Sequence, residues 1–180
     1  MKFHKLQTPN GFTIIELMVT LSITAILLSV GVPAFRDYSL RQRMSASISA
    51  LHSDLLYGRS QAIYRNTQVV ACPGSPSAGC TESTDWTAGW IIFSDSNTDR
   101  QHQEDEDLLR HGQGLDNIII HSSSSRTNFR FFPNGTTPGS NGSFSLCGLG
   151  GPEHARKLVI SNLGRIRRDE AENLDPIHCP

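Results

Sequence analysis

From Phe12 to Phe35 apolar side chains run almost unbroken, and Glu16 is the single charged residue among them. The stretch is long enough to cross a hydrocarbon layer of ~30 Å as one helix. Ahead of it, positions 1–11 form a short leader in which Lys2 and Lys5 mark the cytoplasmic side. Past Arg36 the pattern loosens, and apolar positions recur at helical spacing: Ile48, Leu51, Leu55, Leu56, Tyr57, Ala62 and Ile63. That spacing predicts an amphipathic continuation of the same helix over 36–66, with one face on a sheet. From 67 to 180 the period shortens to that of strands separated by turn residues. The β-prone runs are Gln68–Cys72, Trp90–Ser94, Asp107–Arg110, Asn117–His121, Asn128–Phe132, Ser143–Cys147, Lys157–Ser161 and Gly164–Arg168. The expected class is α+β, a long N-terminal helix laid on an antiparallel sheet head, with neither an internal repeat nor a second domain.

Composition sharpens this outline. With 180 residues the chain has room for one globular domain and an appendage. Sixteen Lys and Arg stand against 17 Asp and Glu, which excludes a globally basic nucleic-acid binder and leaves only a local patch for polyanion contact. Fifteen Gly and 9 Pro suit short strands joined by many turns. Cys72, Cys80, Cys147 and Cys179 include no C-x-x-C pair, so a zinc ribbon or thioredoxin-like site is not expected. An even count in an exported head reads as two disulfides, with three possible connectivities. Cys72–Cys80 would close a Pro/Gly/Ser turn, and Cys147–Cys179 would pin the tail.

Glu16 needs a reason to exist inside an apolar helix. Ionisable residues cost about 2.5–3.5 kcal/mol at the membrane centre. Near the helix start the cost falls and the helix dipole favours a negative charge. A snorkelling Glu would be tolerated there; a Glu awaiting the amine of a neighbouring subunit would be functional.

The segment Gly11-Phe12-Thr13-Ile14-Ile15-Glu16-Leu17 resembles the prepilin signature. In that family a dedicated peptidase cuts after the Gly, the new Phe is methylated, and the Glu guides filament assembly. Pro33 also resembles the family's helix-weakening proline. Further on, SDLLYGRSQAIYRNTQVVAC, WTAGWIIFSDSNTD, DLLRHG, FRFFPNG and KLVISNLGRIR follow the order seen in GspH/FimT-type minor pilins. The resemblance covers most of the chain, except the Ser122–Ser125 run and the last dozen residues. It implies the type IV pilin fold and four segments: a leader (1–11), a transmembrane or filament-core helix (12–35), its amphipathic continuation (36–66) and a periplasmic or extracellular β-rich head (67–180). Implied partners are the prepilin peptidase, other major and minor pilins, and the inner membrane. The implied location is a single-pass inner-membrane precursor, then the pilus surface of a Gram-negative cell.

No enzymatic constellation stands out: G-x-S-x-G, the P-loop, G-x-G-x-x-G and H-E-x-x-H are all missing from the sequence. Neither a cofactor nor a metal is expected. Asp95, Asn97, Asp99 and Glu106 do fall at positions 1, 3, 5 and 12 of an EF-hand-like loop. Arg100 replaces the turn glycine, however, and strands flank the loop, so a solvated acidic hairpin is expected.

The C-terminal basic cluster is the most informative polar feature. Arg156 and Lys157 open one run; Asn162-Leu163-Gly164 turns into Arg165-Ile166-Arg167-Arg168. In a strand, Arg165 and Arg167 would share a face about 6.6 Å apart while Ile166 points inward. Two guanidiniums so held make a fork for phosphates; the plainer role is an edge strand charged against aggregation. Gly164-Arg165-x-Arg167 resembles the G-R-x-R motif of DNA-binding FimT-type pilins. The resemblance implies non-sequence-specific capture of extracellular DNA during natural transformation. Arg165 and Arg167 would be the main phosphate contacts, supported by Arg168, Arg156 and Lys157. The competing reading is a GspH-type minor pseudopilin with a structural role at the tip of a type II secretion system.

Overall fold

The computed structural model describes residues 11–114, 116–148 and 151–169. Among the described residues there is one helix, α1, Ile14–Arg65. Its first turn is closed by Thr13, whose Oγ1 accepts the Glu16 N–H at 3.3 Å, an N-cap with an acidic residue three positions on. The hydroxyls along the apolar half turn back on the helix: Thr20 donates to the Leu17 carbonyl, Ser22 to Met18, Thr24 to Thr20 and Ser29 to Ile26. Each small polar group is thereby satisfied within the segment. The helix continues through Pro33. It stops at Asn66, whose φ of 50° allows the Thr67 N–H to reach back to the Ala62 carbonyl at 3.3 Å, a left-handed cap.

The chain divides into two compact units, the first ending at Ser39 and the second beginning at Leu40. In the first, every side chain from Ile14 to Phe35 is exposed, and the helix there is long and apolar enough to cross a membrane. In the second, α1 buries Met44, Ser47, Ile48, Leu51, Leu55, Gly58 and Ala62. Leu56 and Ile63, expected in this stripe, are exposed, because each sits one residue past a buried position and is rotated off the face. Gly58 replaces them at the contact: a Cβ there would lie 2.9 Å from Ile92 Cγ2, so its absence lets the helix approach the sheet.

Among the described residues nine strands, all antiparallel in their pairings, form two sheets around this stripe. They are β1 Gln68–Ser75, β2 Gly79–Cys80, β3 Gly89–Asp95, β4 Leu108–Gln113, β5 Ile118–Ser122, β6 Phe129–Phe131, β7 Gly142–Gly148, β8 Gly151–Ile160 and β9 Ile166–Asp169. One sheet has the order β2-β1-β3-β4, with β6 also on β1; the other is β5-β7-β8-β9. Phe129 and Phe131 face the core and Arg130 faces away, as the alternation of that run predicts. The core joins both sheets to α1 through Leu51, Leu55, Trp86, Trp90, Phe129, Phe144, Leu158 and Ile166. Phe144 packs edge-on to Trp86 with ring centroids 4.8 Å apart, and Trp90 donates its indole N–H to Asp54 of the helix at 3.0 Å. β1 and β3 read as continuous apolar runs because their second face is also buried, its Val70, Cys72, Ile91 and Phe93 forming a small cluster with Cys80 packed against it.

Cys72 and Cys80 form the expected disulfide. So short a loop removes roughly 2.5 kcal/mol of unfolded-chain entropy in the simple model. Cys147 is also disulfide-bonded, and Cys179 lies outside the described residues.

The acidic hairpin departs from expectation. Asp95 is fully buried and Glu106 nearly so, at 0% and 7% exposure, rather than solvated. Their oxygens collect loop hydrogen bonds: Glu106 accepts the Ser96 and Gln103 N–H groups, and Asp95 accepts from Gln68 Nε2 and the Arg100 N–H. Arg100 takes the left-handed conformation, φ 69°, where an EF-hand would carry glycine. Among the described residues no cluster of His, Cys, Asp and Glu could hold a metal ion.

Candidate nucleic-acid interface

The β8–β9 hairpin decides where the basic residues go. Its turn is closed by the Gly164 N–H on the Ser161 carbonyl at 2.8 Å and by Ser161 N–H on the Arg165 carbonyl at 3.0 Å. Gly164 has φ +74° and sits against a second turn: a Cβ there would lie 1.9 Å from the Gly135 carbonyl oxygen. The same oxygen accepts a hydrogen bond from Arg59 Nε at 2.7 Å. The motif glycine is thus a steric requirement of two turns meeting above a helical arginine.

Arg165 precedes β9 rather than lying in it, and it is exposed. Among the described residues its guanidinium makes no ion pair. Within β9, Ile166 is buried opposite Ile160, Arg167 pairs with Val159, Arg168 with Leu158, and Asp169 with Lys157. Directly paired residues share a face, so Lys157, Val159, Arg167 and Asp169 line the outer side. Arg156 and Arg168 fall on the other face, with Leu158. Arg168 donates to Ser49 of α1 at 3.1 Å, and Arg156 to the Ala155 carbonyl at 3.0 Å. Arg167 is 55% exposed and meets the Asp169 carboxylate at 3.2 Å. The structure therefore brings Arg167 and Lys157 together and sets Arg156 and Arg168 apart from them.

Arg167 and Lys157 line an open groove of about 490 Å³ shared with Ser123, Ser124, Ser125, Arg126 and Asn141. The groove exists because β5 and β8 both pair with β7, and the loop after β5 is tied to the start of β7 by Ser123 N–H to the Ser143 carbonyl at 2.7 Å. Sequence reasoning did not place Arg126 or the serine run here; the only hint was a polar stretch of unexplained density. Serine and asparagine groups beside three unburied cations suit phosphate oxygens, while the Asp169 carboxylate, also on the lining, opposes them.

At the other end of the chain, Gly11 precedes α1 with open space where its Cβ would be, Phe12 is 84% exposed, and Glu16 lies exposed in the first turn.

The family described as Type II transport protein GspH matches residues 47–164, and the prokaryotic N-terminal methylation motif matches residues 8–32. The first match closes at Gly164, just short of Arg165 and Arg167. The type IV major fimbrial protein FimA of Dichelobacter nodosus is 32% identical over 115 residues, 58% of this chain and 68% of that protein. A fimbrial protein of Pseudomonas aeruginosa is 30% identical over 83 residues, and the chain spans about half of its length, 53%. Among solved structures, the type IV minor pilin FimU of Pseudomonas aeruginosa superposes with a TM-score of 0.57 at 21% identity, covering 79% of this chain and 96% of that one. The minor pseudopilin EpsH from the type 2 secretion system of Vibrio cholerae gives 0.52 at 9% identity, covering 73% and 99%. Both show a shared fold.

Proposed function

The chain belongs to the GspH family of minor pilins and pseudopilins, and on that premise we propose that it is a minor type IV pilin that captures extracellular DNA without sequence preference, for uptake in natural transformation. The observation that carries this reading is the open groove lined by Arg167 and Lys157, with the exposed Arg165, without an ion-pair partner among the described residues, two positions before Arg167 in the chain. Phosphate contacts of this kind hold a strand by charge and read no bases. If one head neutralises three phosphates, affinity falls roughly 40-fold between 50 and 200 mM salt. Binding by a single head is then weak, and several heads along one filament raise it by avidity.

The N-terminal signature serves delivery. Hydrolysis after Gly11 by the prepilin peptidase frees the Phe12 amine, which is methylated in a separate step from a methyl donor, and Glu16 pairs with the amine of a neighbouring subunit. Before assembly the apolar helix spans the inner membrane once, with the head in the periplasm.

The test is a fluorescence-anisotropy titration of the full chain in detergent micelles with a labelled random-sequence duplex. Wild type binds; Arg165→Ala plus Arg167→Ala loses at least tenfold in affinity, with an unchanged melting temperature. Equal binding by the double variant would overturn the site. No binding by wild type would favour the second reading, a structural pseudopilin of type II secretion, which the description of the matching family supports.

A further inference from the structure

Beside the groove lies a smaller pocket of about 110 Å³, lined by Arg100, Arg126 and Arg130 with Ser125, Asn128 and Ser140. The two depressions share Ser125 and Arg126. Three different elements deliver the cations. Arg130 is on β6, turned to the outer face because Phe129 and Phe131 fill the core, and its N–H is fixed on Ser140 Oγ at 2.9 Å. Arg126 follows the serine run and donates through Nη1 to the Gly139 carbonyl at 2.7 Å. Arg100 is held in the acidic hairpin by its N–H on Asp95.

These guanidiniums repel one another. Burial, and after it the charges of Arg100 and Arg126, pull Arg130 below its ordinary value, with Asp95 opposing. None of the three makes an ion pair among the described residues. Asp95 opposes this charge, but a single carboxylate against three guanidiniums offsets only part of it. Three clustered positive charges without a carboxylate partner are an unfavourable arrangement that an anion would relieve. The pocket has room for about three waters at roughly 30 Å³ each, hence for one tetrahedral oxyanion. The Asn128 amide, with one N–H on Thr127 Oγ1, keeps its second N–H for a remaining oxygen.

We infer that Arg100, Arg126 and Arg130 form a second phosphate-binding pocket, continuous with the Lys157/Arg167 groove through Arg126, that takes a backbone phosphate of the same nucleic-acid strand. This inference rests on the DNA-capture reading. It lengthens the contact from a fork at one hairpin to a track crossing both sheets.

The experiment uses the full chain in micelles, the labelled duplex, and inorganic phosphate as a separate probe. Arg126→Ala plus Arg130→Ala is expected to make the slope of log affinity against log salt shallower by about 0.9, one phosphate's worth. Between 50 and 200 mM salt, that loss reduces the affinity ratio about 3.5-fold. Arg100→Gln, which alters one exposed side chain, is expected to shift the slope the same way and guards against a misfolded double variant. Wild-type affinity and slope in both would overturn the pocket, even with DNA capture intact. If Arg165→Ala plus Arg167→Ala binds normally while the Arg126/Arg130 variant does not, the pocket stands and the hairpin assignment falls. If inorganic phosphate raises the melting temperature of wild type but the Arg126/Arg130 variant keeps full DNA affinity, the pocket holds free phosphate and the strand assignment is overturned.

Discussion

Replacing Gly164 with alanine separates the scaffold of the G-R-x-R motif from its contacts. An L-residue held at φ +74° costs about 1–2 kcal/mol. The new Cβ, built 1.9 Å from the Gly135 oxygen, meets backbone on the facing turn, so one of the two turns must move. Forced overpacking of this kind costs about 1–3 kcal/mol. Moving Gly135 also strains its hydrogen bond from Arg59 Nε, a charged donor, worth about 1.5–3 kcal/mol if lost outright. Counting only part of that bond, the total comes to roughly 3–5 kcal/mol. At about 3 °C per kcal/mol for a domain of this size, the melting temperature falls by on the order of 10 °C. Trp86 and Trp90, both buried in the head, report unfolding by fluorescence of the full chain in detergent. Arg165→Ala removes an exposed side chain and is expected to stay within about 0.5 kcal/mol of wild type. A melting temperature for Gly164→Ala within 2 °C of wild type, on the order of the noise of such changes, would refute the steric account of the motif glycine.

Two further outcomes follow from the same geometry. Asp169→Asn removes the carboxylate 3.2 Å from Arg167 and is expected to raise DNA affinity about two- to fivefold, the most an exposed pair of up to ~1 kcal/mol can withhold; anisotropy at 50 mM salt checks it, and unchanged or weaker binding would count against Arg167 as a contact. Burial, and after it the charges of Asp95 and Asp99, lift the Glu106 carboxyl above its ordinary value of 4.5 against two backbone hydrogen bonds. Between 4.5 and that raised value the folded chain holds a proton the unfolded chain releases, so this contribution is full below pH 4.5 and is lost as pH rises through the folded value. The melting temperature of wild type minus that of Glu106→Gln should therefore shrink from pH 4.5 to 6, and a flat or growing difference would contradict the burial.

Features set by neighbours in the chain were legible from sequence. The apolar run, the Thr13–Glu16 start, the alternation of Phe129, Arg130 and Phe131, and the turn at Asn162–Gly164 are all local patterns, and each expected β run overlaps a strand, although β2 carries no such run, β8 starts earlier and β9 starts after Arg165. What escaped was set by pairing across the fold. Arg126 joins Lys157 and Arg167 only because β7 lies between their elements. Arg168 leaves the fork because strand alternation turns it toward Ser49, a residue 119 positions away. Asp95 and Glu106 read as a polar hairpin, yet the loop's own amides drew them inside. Gly58 and Ser47 lack the apolar mass that marks a core face, so the helix stripe was drawn one position off at Leu56 and Ile63.

The inward-turned hydroxyls of Thr20, Ser22, Thr24 and Ser29 carry a consequence. A rod whose polar protons are spent on its own carbonyls asks nothing sideways of its surroundings, whether these are acyl chains or another rod. Transfer between the two environments breaks no such bonds and needs none. Such a helix meets an apolar layer or a neighbouring helix with these hydroxyls already satisfied.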